Sequence, residues 1–402
     1  MSGLDRDREG APTRRRVLAH VAAWVLGVAV FRVGLIAPQS CPGVTVDELD
    51  HTIEQTVGWA TTNLLSNGEF LYRYDRSSNT DLGGYNPTRH AAMTNALYQV
   101  AAAGDLRWIR ETDRTLDYML RNLVTTSDVV DAEAVAFAVG GARPRIGASA
   151  LLVAAMAHRR TATGETTHDA QMRLLGQFLV GQIESNGAVA AEWDPGSREP
   201  VWGEYGIFAT GEVAWALALL DETFPGEGWA GHGITIVEYV IHDRRAHEGL
   251  TLRAPDHWVS YATAELGDKW EPTPDESEYL RRLAGDFAVM IRVESQRSGA
   301  GIQKFLRFGQ ALGAGVGALG EGLAGLSRTP SIGDERDELE KHLVCTAGVL
   351  VDRQVDESDV VSDPTKEVGA WFKDDITQVD DQQHTLSTLL FAREVLTRET
   401  RP

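Results

Sequence analysis

The fold class this sequence predicts is all-α: a double-walled ring of six helical hairpins with short β-hairpin insertions, preceded by one N-terminal transmembrane helix. Three observations lead there. The first is an echo: Ser66-Asn67-Gly68 returns as Ser185-Asn186-Gly187, 119 residues later. Each copy ends an amphipathic stretch, passes a short alternating segment and a turn, reaches a tyrosine (Tyr85, Tyr205) and enters an alanine-rich helix. A fixed period marks repeated supersecondary units that stack on one another. The second is the alternation of two kinds of helix, and the third is an apolar run behind three arginines.

The N-terminal element comes first. Arg14-Arg15-Arg16 precedes a run from Val17 to Ala37 broken only by His20 and Arg32. Twenty-one residues of helix reach roughly 31 Å, about one hydrocarbon thickness. The arginines orient that end to the cytoplasm, and Arg32, near the far boundary, can snorkel outward. The rival is a cleaved signal peptide, but no small-x-small site follows Ile36. The expectation is therefore a cytoplasmic arm over 1–16, a signal anchor over 17–37, and a single-pass protein of the cell membrane whose bulk lies outside the cytoplasm.

One kind of helix carries a single apolar stripe, as in Leu116, Met119, Leu120 and Leu123, or Leu280, Leu283, Phe287 and Ile291. The other is rich in alanine and glycine and apolar on nearly every face, as in 90–103, 147–157, 210–220 and 317–326. Such a helix has to be surrounded by protein, and small side chains let neighbouring axes approach. Striped helices begin near residues 46, 107, 167, 230, 276 and 335, and enclosed ones near Asn86, Arg145, Glu204, Asp256, Leu319 and Asp380. The enclosed starts are 59, 59, 52, 63 and 61 residues apart.

Little else is regular. Phe70, Tyr72 and Tyr74 alternate with polar residues, and Gly187 to Trp193 runs through an Asp194-Pro195-Gly196 turn, so both read as short hairpins before enclosed helices. The acidic stretch 356–372 reads as a loop or lid, with disorder as the alternative. The glycines from Gly313 to Gly322 read as close packing within a helix rather than a phosphate loop.

Six outer–inner helix pairs in this order resemble the six-hairpin glycosidase superfamily, whose fold is an (α/α)6 toroid. The resemblance covers about 45–398 and stays at superfamily level, without a signature that matches one member. In such a ring the first outer helix packs beside the sixth, so Cys41 before the first and Cys345 within the sixth are expected to form a disulfide. The outer-to-inner connections emerge on one face, where helix N-termini offer unpaired N–H groups.

Polar residues gather at those six starts. The first has Tyr85, Asn86, Arg89 and His90, and the second Arg143 and Arg145. The third has Trp202, Glu204 and Tyr205, with Glu212 further in; the fourth has Asp256, His257 and Trp258. The fifth has Glu321, and the sixth Asp380, Asp381, Gln382, Gln383 and His384. Tyr85, Trp202, Tyr205, Trp258 and Trp371 are candidate platforms for sugar faces, and the arginines candidate partners for acidic groups.

Glycoside hydrolysis needs two carboxyl groups. Asp256 beside Trp258 is the first choice for general acid, with an N-cap as the alternative. Asp380 and Asp381 are candidates for base, and Glu204 and His257 complete the catalytic set. Asn86, Arg89, His90, Arg145, Gln382 and His384, with the aromatics Tyr85, Trp202, Tyr205 and Trp258, are the expected substrate contacts. For Glu212 and Glu321 an ion pair to Arg89 or Arg145 is the alternative to a role in the site.

The leading expectation is a carbohydrate-active enzyme outside the cytoplasm, a glycoside hydrolase acting on a cell-envelope or extracellular glycan. The alternatives are a sugar epimerase, isomerase or lyase built on His90, His257 and Arg89, and a non-catalytic glycan-binding scaffold. The net charge of −20 argues against nucleic acid as a partner. No dinucleotide or phosphate fingerprint calls for a cofactor, and histidines hundreds of residues apart are a faint metal signal.

Overall fold

The computed structural model describes residues 14–34, 37–127, 133–136, 144–250, 255–298, 305 and 313–399. Six inner helices follow one another around a closed circle: α3 (Pro87–Ala102), α5 (Ile146–Thr163), α7 (Ala209–Thr223), α10 (His257–Leu266), α12 (Gly313–Arg328) and α15 (Val379–Glu399). Each packs on the next, and α15 returns to α3. Six outer helices back them: α2 (Val46–Thr62), α4 (Ile109–Asn122), α6 (Asp169–Val180), α8 (Trp229–His242), α11 (Pro274–Ser298) and α13 (Arg336–Arg353). One-turn helices α9 (Arg244–His247) and α14 (Pro364–Glu367) sit in connections. The (α/α)6 ring expected over 45–398 is therefore present, and Leu151, Leu217, Leu323 and Leu389 on the inner wall are buried in its core.

The duplicated Ser-Asn-Gly turn has a physical reason. Asn67 and Asn186 each accept a backbone N–H two residues on (3.0 Å in both), and Gly68 and Gly187 take φ of +104° and +93°. A Cβ on Gly68 would lie 2.6 Å from the Arg114 carbonyl oxygen of α4, and one on Gly187 2.5 Å from that of Thr235 on α8. Both turns thus press bare backbone onto the following outer helix, where only glycine fits.

The seam of the ring is closed three times. Cys41 and Cys345 form the expected disulfide. The strand β1 (Arg73–Asp75) pairs antiparallel both with β2 (Thr80–Asp81) and with β7 (Ile376–Gln378), 300 residues away, matching Tyr74 to Thr377. The Gln354 amide donates to Thr52 O and Thr56 Oγ1 of α2, 3.0 Å each. Two further hairpins, β3 (Val124–Ser127) with β4 (Glu133–Ala136) and β5 (Trp193–Asp194) with β6 (Glu199–Pro200), complete the strands among the described residues. The stretch 356–372 is an ordered loop. Buried Glu367 accepts the backbone N–H groups of Val361, Ser362 and Asp363 at 2.7–2.8 Å.

Three expectations change. The transmembrane segment over 17–37 is not found. The helix α1 (Arg14–Gly34) starts on the three arginines and carries Arg32 in its last turn. The uncharged stretch from Val17 to Phe31 reaches roughly 22 Å, short of the ~30 Å hydrocarbon core. No helix among the described residues is long and apolar enough to cross a membrane; residues 35 and 36 lie outside them. The third inner helix starts at Ala209, five residues after Glu204, which lies in the loop between β6 and α7. The fifth starts at Gly313, before Leu319, which carries Glu321 two turns into the wall.

Candidate active site

The first turns of all six inner helices converge on one open cavity of about 400 Å³. Asn86 caps α3, its Oδ1 accepting from Thr88 N at 2.9 Å and Arg89 N at 3.3 Å. Arg145 is the N-cap residue of α5 and presents its side chain to the cavity. His257 and Trp258 open α10, and Asp380, Gln383 and His384 open α15. Of the residues picked from sequence, the structure brings Asn86, Arg89, Arg145, His257, Trp258, Asp380 and His384 together in this wall.

The others sit elsewhere. Asp256, the first choice for general acid, caps α10 by accepting from Trp258 N at 3.1 Å and Val259 N at 3.4 Å, while its second oxygen accepts from Arg244 Nη1 at 2.9 Å. Both oxygens are occupied, the group is buried, and it does not line the cavity. Burial pushes its pKa up while Arg244 and the two N–H groups pull it down. Asp381 is buried beside Asp380 but off the cavity, so the two adjacent acids do not share it. Glu204 lies exposed in the loop before α7.

The expected aromatic platforms are placed differently. Tyr85 and His90 pack with Tyr118 behind the wall, and the His90 ring nitrogen Nε2 lies 3.1 Å from Thr115 O. Burial lowers the His90 pKa to about 4. Tyr205 Oη donates to Glu184 at 2.7 Å, Trp202 stands 46% exposed outside the cavity, and Trp371 is a core residue bonded to Leu350 O at 2.8 Å. Gln382 ties Trp371 to Thr377. Arg143 lies outside the described residues. Phe208, half exposed at the cavity and edge-on to His257 with centroids 5.4 Å apart, is an aromatic that sequence reading missed. The signal was the apolar pair Ile207-Phe208 at the entry to α7, where α3, α5 and α10 have Asn86, Arg145 and Asp256.

Two acid/base systems face the cavity. Glu212, in the first turn of α7, is only 6% exposed, and its carboxyl has no hydrogen-bond partner among the described residues. Burial pushes its pKa up to about 8, with Asp256 and Asp380 adding and His384 opposing. No arginine among the described residues pairs with it. Arg89 pairs instead with Asp380 (Nε to Oδ2, 3.4 Å), and is aimed by bonds from Nη1 to Tyr72 Oη and Gln378 Oε1 at 2.8 and 2.9 Å.

The second system is Glu321 with the two histidines. Glu321 Oε2 lies 2.5 Å from His384 Nδ1 and 3.5 Å from His257 Nε2, and Gln383 Nε2 donates to Oε1 at 3.1 Å. Burial alone would lower the His384 pKa, but Glu321, Asp380 and Asp381 more than offset it and hold it up at about 9. His257, buried next to that cation, is driven well below its ordinary value by burial and by His384. The imidazole rings meet edge to face, 5.0 Å between centroids.

With this geometry in place, known structures can be compared. An inactive variant of the α-1,6-mannanase GH76A of Salegentibacter sp. HEL1_6, in complex with α-1,6-mannotriose, superposes with a TM-score of 0.58 at 13% identity, over 87% of this chain and 99% of that one. An unsaturated glucuronyl hydrolase specific for heparin gives 0.60 at 10% identity, over 88% and 99%. These likenesses show the fold alone, an (α/α)6 toroid. A D-mannose isomerase also matches, with a TM-score of 0.60 at 12% identity over 87% of this chain and 97% of the other. No sequence-family profile matches the chain, and no curated protein matches it in sequence.

Proposed function

We propose that this toroid is a carbohydrate-active enzyme that cleaves a glycosidic bond in the central cavity, with Glu212 as general acid and Asp380 as general base or nucleophile. The observation that carries this is the contrast between the two carboxyls. Glu212 is buried, unbonded and held up at about 8, so it keeps its proton at neutral pH. Asp380 lines the same cavity, with Arg89 Nε 3.4 Å from one carboxyl oxygen and His384 Nε2 3.8 Å from the other. A carboxyl that keeps its proton and a second, ion-paired carboxyl lining one cavity are the arrangement acid/base cleavage needs. Glu212 would protonate the departing oxygen, and Asp380 would act from the other side of the anomeric carbon. The mannanase and glucuronyl hydrolase among the structural neighbours support this reading.

The test is to incubate the full chain with mannan and uronate-containing oligosaccharides and count reducing ends. Glu212→Gln and Asp380→Asn should each lower turnover by about 10²–10⁴-fold. Equal turnover in both variants and the parent would overturn the assignment.

A second reading, sugar isomerisation or epimerisation, is favoured by His257 and His384, which face the same cavity in opposite charge states. The mannose isomerase neighbour supports it. Product analysis separates the two, because an isomerase interconverts sugars without releasing a new reducing end.

We also place the toroid outside the cytoplasm, at a membrane surface. The disulfide between Cys41 and Cys345 supports an oxidising compartment. The helix α1, with Leu18, Trp24 and Leu26 exposed behind three arginines, supports contact with lipid. Protease treatment of intact cells should digest the toroid; complete protection would overturn the placement.

A further inference from the structure

We propose that His257, Glu321 and His384 form a binding site for one divalent first-row transition ion, zinc in the first instance, at the floor of the central cavity. The site does not depend on the acid/base assignment above. Each residue offers one donor atom, and the three donors lie within 4.8 Å of one another, all buried. They come from three inner helices, α10, α12 and α15, so the packing of the ring sets their separation.

Four details favour a cation. His257 Nε2 is buried without a hydrogen-bond partner and lies 3.5 Å from Glu321 Oε2. Such a nitrogen is an unsatisfied polar atom in a low-dielectric site unless something occupies its lone pair. The partners of the buried Glu321 carboxylate in ion pairs among the described residues are the two histidines alone. Its other oxygen is held by Gln383 Nε2 at 3.1 Å, which leaves Oε2 for the ion. Lastly, the far nitrogen of His384 faces Asp380 at 3.8 Å, the outer carboxylate that commonly stands behind a ligating imidazole.

Two imidazoles and one carboxylate suit zinc and its first-row neighbours, and three protein ligands leave a coordination position open. His257 and His384 line the cavity, so that position faces it. Bonds of about 2.0–2.2 Å need donors roughly 3–3.5 Å apart. The His257–Glu321 pair already meets this, and His384 Nδ1, 2.5 Å from Oε2, would draw back by about half an ångström.

The test uses the disulfide-intact full chain, stripped with chelator and titrated with Co²⁺ in the absence of sugar. The expected result is visible absorption that saturates at one Co²⁺ per chain, displaced by Zn²⁺. It should fall at least tenfold in Glu321→Gln and in His257→Asn, and persist in the surface control His242→Ala. Zinc should also raise the melting temperature of the parent chain, and chelator should reverse the rise, a readout that stands even if a variant fails to fold. A parent chain with neither absorption nor a melting shift, or variants that bind as the parent does, would overturn the proposal. Because no glycan is present, the result is independent of the hydrolase reading.

Discussion

Gly147 leaves the space that the Glu212 carboxyl fills: a Cβ built on Gly147 would stand 1.8 Å from Glu212 Oε2. The glycine is in the first turn of α5 and the glutamate in the first turn of α7, so the close packing of two inner helices positions the acid. Gly147→Ala should swing the carboxyl aside and lower turnover at least tenfold, while far-UV circular dichroism stays unchanged. An alanine variant as active as the parent would show that the carboxyl position is not critical.

Glu212 also sets a pH dependence. Its folded pKa of about 8 lies above the ordinary carboxyl value of 4.5, so between those values the folded chain binds more protons than the unfolded one. Stability therefore falls as pH rises from about 4.5 to about 8, and the penalty is fully present above that. Glu212→Gln should stabilise the chain by on the order of 3 kcal/mol at pH 7 and by little at pH 4.5. Urea unfolding at both pH values measures this, and glycan turnover should fall in the same variant. In the parent, turnover should decline above pH 8 as the acid loses its proton.

Asp256 belongs to the frame of the ring. Arg244 donates to Asp256, to Glu248, and to the backbone carbonyls of Gly206 and Ile207, joining the α9 turn to the start of α10 and to the loop before α7. Removing one partner from a buried pair typically costs about 3–5 kcal/mol because a charge is left stranded. Arg244→Met should show a loss of that size in urea unfolding. If Asp256 were the acid instead, Asp256→Asn would abolish turnover, whereas a folded Asp256→Asn is expected to keep it.

The disulfide spans 304 residues of sequence. Closing a loop that long restricts the unfolded chain, and Cys41→Ser is expected to cost on the order of 4–5 kcal/mol, with a matching drop in melting temperature under reducing conditions. Thermal melts with and without reductant check it. Equal melts would mean that the β1–β7 pairing and Gln354 hold the seam unaided.

The ring was legible because its causes are local. Enclosed helices announce themselves by alanine and glycine on every face, and the Asn-Gly turn recurs because in the first and third hairpins the same glycine has to press on the following outer helix. Gly317 illustrates the packing: a Cβ there would meet the backbone of His384 at 2.5 Å. Helix starts at Asn86, Arg145, Asp256 and Asp380 are readable from capping and charge, and so is part of the cavity wall. What stayed hidden depends on which way a loop turns before its helix. Tyr85, Trp202 and Tyr205 have the residue type of a sugar platform but face away from the cavity, whereas Phe208 faces it. Asp256 was misread because its partner, Arg244, lies across a loop and no local pattern joins them. Glu212 reads from sequence as an acid in an apolar helix, but that no arginine among the described residues reaches it is a fact of three dimensions.

Sealing the seam between the first and sixth hairpins has a topological result. Open stacks of helical pairs need special end units to shield their outermost faces; here every hairpin has a neighbour on both sides, and none is terminal. The position at which the polypeptide starts is then a matter of covalent order alone, and moving the break to an exposed turn elsewhere on the circle would leave the same wall around the same cavity.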